Sequence, residues 1–96
     1  MSVYSFYREL GISHADFRRV FPRVVAPAKV TWQGSVAIVD LGPGTVTVTL
    51  GDEKCRQLGL IKIPYTELHF DIQGLDAKSI EVFMHNFMAS FQKGGG

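Results

Sequence analysis

Three side chains in one short stretch could do chemistry together: Glu67, His69 and Asp71. They alternate with Leu68, Phe70 and Ile72, which is the period of a strand. Alternate residues on a strand lie about 6–7 Å apart on one face. A histidine flanked by two carboxylates could bind a divalent cation or move a proton. Three groups in a straight row do not converge on one ion, so other elements would have to complete such a site. The competing reading is a solvated strand face with a charge-linked histidine, and the sequence favours it. Glu81 and His85 stand four apart in a helical stretch and share a face. That spacing can chelate a metal, and it equally suits an ordinary helix surface. No metal and no cofactor is expected.

His14 and Cys55 could form a nucleophile and its base only if the fold brought them together. Lys54 and Arg56 flank the thiol and would lower its pKa. No family-specific sequence surrounds it, and the plainer expectation is a half-buried structural cysteine. A lone cysteine excludes an internal disulfide and a paired zinc site. Arg8, Arg18, Arg19 and Arg23 could make a basic patch, with Tyr4, Tyr7 and Trp32 as stacking faces for nucleic acid. The net charge of +1 argues against a dedicated nucleic-acid binder. Gly42-Pro43-Gly44 lacks the spacing and the Lys-Ser/Thr of a phosphate loop and reads as a turn.

The terminal Gly94-Gly95-Gly96 resembles the Gly-Gly ends of ubiquitin-like modifiers and sulfur-carrier proteins, which are activated at that carboxylate. The likeness covers these last residues alone. It implies a β-grasp fold, with a strand before the tail. A helix stands there instead, which speaks against the carrier reading. The other readings are a helix stop with a frayed end, or residues left from cloning.

The elements that must position these groups follow from periodicity. Ile80, Phe83, Met84, Phe87, Met88 and Phe91 recur at helical spacing and predict a helix over 77–92. Asp76 suits its N-cap, Leu75 and Ile80 a hydrophobic staple, and Gly94 its stop. Val3, Phe6, Tyr7 and Leu10 predict a first short helix ending at Gly11. Ser13 opens a second from His14 to about Phe21, where Pro22 ends or kinks it, or begins a further turn before Pro27. From Lys29 the period becomes two, with a turn at Gly34-Ser35. Residues 36–50 predict a hairpin, with Val46, Val48 and Leu50 on one face and threonines on the other. Residues 54–60 stay ambiguous. Ile61 and Ile63 predict a strand that Pro64 confines to an edge or separates by a bulge from the last strand, Thr66–Ile72.

The expected fold is α+β: N-terminal short helices, a four- or five-stranded mainly antiparallel meander, and a long C-terminal helix on its apolar face. Residues 1–93 make one domain and 94–96 a flexible glycine tail. The start lacks the form of a signal peptide, and no apolar run is long enough for a membrane span, so a cytoplasmic protein is expected. No catalytic motif is recognisable. The functional expectation is a non-catalytic accessory or interaction module, binding another protein or its own copy through the open sheet face or an edge strand. The alternatives are a small apolar ligand lined by Trp32, Phe83, Met84, Phe87 and Met88, an acid–base or metal site at His69, and nucleic acid on the arginines.

Overall fold

The computed structural model describes residues 3–94. In chain order the elements are β1 (Val3–Leu10), α1 (His14–Val25), β2 (Val30–Gln33), β3 (Val36–Asp40), β4 (Thr45–Leu50), β5 (Lys54–Leu58), β6 (Ile61–Gln73) and α2 (Ala77–Gly94). The six strands form an antiparallel sheet in the order β1-β6-β4-β3-β2, and β5 pairs with β6 beyond the end of β4. Both helices pack on one face. This is the expected α+β architecture, with the C-terminal helix on the apolar side of the sheet.

Four details settle or overturn an expectation. Residues 3–10 form a strand, not a helix. Their apolar positions fit either period, and eight antiparallel pairs with β6 decide the outcome. Val, Tyr and Phe suit a pleated, half-buried surface, and Phe6 stacks on Phe70 with ring centroids 5.1 Å apart. Residues 54–58 are also a strand, turning back at Gly59 with φ +62°. Pro64 marks the expected edge and not the alternative bulge between two strands, since β6 is one strand of 13 residues. From Ile61 to Tyr65 β6 pairs with β5 alone, so the missing N–H breaks no second ladder. Finally, α1 continues through Pro22 to Val25. Phe17, Phe21 and Val25 are buried on one stripe, and that packing offsets the lost backbone bond.

The hairpin over 36–50 forms as its pattern predicts. Val46, Val48 and Leu50 are buried, and the threonines between them face the other way. Its turn is set by close approach. A Cβ on Gly44 would lie 2.3 Å from the Gln73 carbonyl oxygen, so only glycine fits.

A single core joins the layers. Phe87 is fully buried at its centre. Its ring lies edge-on to Phe70 of β6 at 5.1 Å and to Phe21 of α1 at 6.0 Å, and tilts against Phe91 at 4.6 Å. The helix starts carry the expected N-caps. Ser13 accepts from the Asp16 amide at 3.1 Å, and Asp76 Oδ1 accepts from the Ser79 amide at 2.8 Å. α2 extends to Gly94, past the expected end at residue 92. Gly95 and Gly96, the rest of the expected tail, lie outside the described residues.

Two outcomes follow. Phe87→Ala opens a cavity among five aromatic rings and should cost about 3–5 kcal/mol in denaturant unfolding. The Ser79 amide, and after it the Ser79 hydroxyl, hold the Asp76 carboxyl below its ordinary value. A depressed carboxyl stabilises the fold above its unfolded pKa, about 3.9, and loses that as pH falls through the lower folded value. Asp76→Ala should therefore melt below the wild type at pH 7. The gap should close under acid conditions, as followed by circular dichroism.

Candidate functional site

Strand alternation divides the sheet into two unlike faces. One is covered by both helices. The other carries Val3, Ser5, Tyr7 and Glu9 beside Glu67, His69, Asp71 and Gln73, then the threonines of β4. Among the described residues no element covers this face.

The row Glu67, His69, Asp71 lies here as expected, but each residue turns to a different neighbour. Glu67 faces Lys54 at 3.8 Å. Asp71 accepts from the Ser5 hydroxyl. The His69 ring packs on Tyr7 with centroids 4.5 Å apart. His69 Nε2 is 3.4 Å from Asp71 Oδ1 without the alignment of a hydrogen bond, and it is buried with no other partner among the described residues. A shallow depression of about 270 Å³ runs between Tyr7, Thr49, Lys54 and His69. No group of three or more His, Cys, Asp or Glu among the described residues is placed to hold a metal. The row is therefore a set of cross-strand pairs, not a convergent centre.

The arginines do not gather. Arg8 lies on β1, 5.0 Å over the Phe6 ring. Arg18 covers the Trp32 ring at 4.4 Å and donates to the Gly34 carbonyl. Arg19 pairs with Asp16 at 3.2 Å, and Arg23 is exposed in the last turn of α1. With Arg18 over it and Phe17 at its edge, Trp32 is not a free stacking face.

The proposed ligand-lining set also divides. Phe87 is packed at the core centre, and Phe83 stacks against it at 6.2 Å. Trp32 lies at the α1 side. Met84 and Met88 alone of the five line an opening, a groove of about 570 Å³ between β1 and α2. Phe6 and Ile80 complete its apolar floor, with Arg8, Glu81 and His85 at its rim. Phe6 and Arg8 reach this groove because 3–10 is a strand and not the expected helix. The alternation of Tyr4, Phe6 and Arg8 with Ser5 and Tyr7 was the signal available.

The largest departure is an arm. β4 places Leu50 opposite Leu68, whereas β5 places Lys54 opposite Tyr65. Three residues, 51–53, thus stand against two, Thr66 and Glu67. That is a bulge, which bends and twists the strand. It is held by Gly51 N–H to the Glu67 carbonyl at 2.8 Å and by His14. The His14 amide donates to Glu53 Oε1 at 2.7 Å. Its Nε2 lies 2.7 Å from the Gly51 carbonyl, an acceptor only, so Nε2 carries the proton. His14 therefore positions the bulge and is not paired with Cys55. Beyond the bulge, β5 and the start of β6 project as a hairpin, and the molecule extends 47 × 24 × 21 Å. Leu58, Leu60, Ile61 and Ile63 of this arm are 58, 101, 63 and 37% exposed. Cys55 is also exposed, contrary to the half-buried expectation, because β5 has one neighbour strand and no helix over it.

Compared with protein-family models, curated proteins and solved structures, the chain matches none. No described helix is long and apolar enough to cross a membrane. The placement of Cys55 has a direct readout. The native protein should react with about one equivalent of a thiol reagent without denaturant, at close to the rate of the unfolded chain. Reaction only on unfolding would put the thiol inside.

Proposed function

We propose that this protein is a non-catalytic interaction module that docks on another protein through its β5–β6 arm. One observation carries the reading: Leu58, Leu60, Ile61 and Ile63 expose large apolar side chains together on a projecting hairpin. Scattered apolar residues on a surface need no explanation, but a grouped patch marks an interaction site. The core does not use this patch. The bulge tied down by His14 holds the arm at a set angle, which reduces the ordering cost of binding. Lys54 and Arg56 beside these residues are already paired with Glu67 and Glu9, so apolar surface is what the arm offers. The matching surface on a partner is an apolar cleft. The separated partners of Glu67, His69 and Asp71 favour this reading over an acid–base centre.

The double variant Leu60→Ser/Ile61→Ser tests it. Both side chains are exposed, so stability should change by no more than about 0.5 kcal/mol per site. Immobilised wild-type protein should retain a partner from a lysate of its own cells. The double variant should retain it at least about tenfold less. Equal retention by both proteins, or retention by neither, overturns the proposal.

A further inference from the structure

The groove between β1 and α2 adjoins a second unsatisfied feature. β1 has β6 on one side and, among the described residues, no strand on the other. About half of the amides and carbonyls of an edge strand point outward, ready to pair with another chain. Proteins blunt such edges with short strands, charges, prolines or bulges. The other edge of the main sheet, β2, is only four residues long. The outer strand of the arm, β5, carries Lys54 and Arg56. β1 has little of this protection. It is eight residues long, its register with β6 is unbroken, and its first five residues hold no charge and no proline. Val3, Tyr4 and Tyr7 are 53, 41 and 64% exposed along it.

We propose that β1 pairs antiparallel with β1 of a second copy, making one continuous sheet from two chains around a two-fold axis at Tyr7. An axis perpendicular to the sheet leaves the helices of both copies on the same side. Side chains facing one another across the join must then come from the same face of each strand. Centred on Tyr7, this register sets Phe6 opposite Arg8 of the second copy, Ser5 opposite Glu9, and Tyr4 opposite Leu10. No like charges meet. The Phe6–Arg8 pairing repeats between chains the cation–π contact that Arg8 and Phe6 make within one. Registers centred on Arg8 or Glu9 would oppose identical charges.

The same join brings the two grooves together over the axis, so that Phe6, Met84 and Met88 of each copy meet apolar surface. The pairing does not involve the arm and stands apart from the partner reading above.

Light scattering on the eluted full-length protein, over a range of concentrations, tests the join. The wild type should show about twice the 10.6 kDa chain mass. Tyr7→Lys and Tyr7→Glu each place identical charges on the axis. Each should dissociate at least about tenfold more readily, with unchanged circular dichroism. An equimolar mixture of the two should re-form the dimer, a rescue that loss of folding would not allow. A monomeric wild type overturns the proposal, as do dimers unaffected by both substitutions. So does a native mass showing a monomer with a small molecule in the groove. Leu60→Ser/Ile61→Ser should leave the dimer intact. If that variant alone breaks it, the β1 join fails while the arm remains a docking surface.

Discussion

Burial of Phe87 is the constraint on which the rest of the structure depends. Its ring touches aromatic partners from β6, from α1 and from its own helix. Sheet and helices therefore meet at one point and no layer packs independently. The sheet needs a helix to cover Leu68, Phe70 and Ile72, and α2 needs the sheet to cover Phe87 and Phe91. Burying either apolar face alone is impossible in so short a chain. The caps at Ser13 and Asp76 set where each helix begins, and so which turn of it reaches this cluster.

Covering one face leaves the other uncovered. Two helices span the apolar side, and no further element among the described residues lies over the side of Tyr7, His69 and the β4 threonines. Cross-strand pairs stabilise that side in place of a second layer: Tyr7 with His69, Ser5 with Asp71, and Glu9 with Arg56 at 2.9 Å. The same economy leaves β1 at an open edge and sends the β5–β6 hairpin past the core. The bulge at 51–53 changes the register by one residue and re-aims the strand at that point. Thr66, the one buried polar side chain among the described residues, ties this junction down by donating to the Ile12 carbonyl at 2.8 Å. These bonds tie the loop before α1, the bulge and β6 together at the base of the arm.

Much of this was legible in the residues. The stripe from Ile80 to Phe91, the alternation of Thr45–Leu50 and the N-caps at Ser13 and Asp76 each formed where expected. Segments with one kind of signal fared differently. Val3, Phe6, Tyr7 and Leu10 fit a helix by spacing and a strand by residue type, and pairing with β6 chose the strand. Pro22 reads as a stop or kink and Pro64 as the mark of an edge or a bulge, yet each lies inside its element. Buried packing compensated for the first, and a one-sided ladder accommodated the second. The candidate chemistry shows the same division. The shared face of Glu67, His69 and Asp71 follows from alternation. Their separate partners, Lys54, Tyr7 and Ser5, come from β5 and β1, distant in sequence.

By itself the sequence determined the α+β class, the core stripe of the last helix, the central hairpin and the absence of a contiguous catalytic motif. These rest on local periodicity and capping, which act within a few residues. Only the tertiary structure decided that 3–10 is an edge strand, that the ligand-lining set splits between core and groove, and that Leu58 to Ile63 stand out on an arm. Those outcomes depend on which strands pair and in what register. Such pairing links residues some sixty positions apart, as Tyr7 is linked to His69, and no local pattern carries that information.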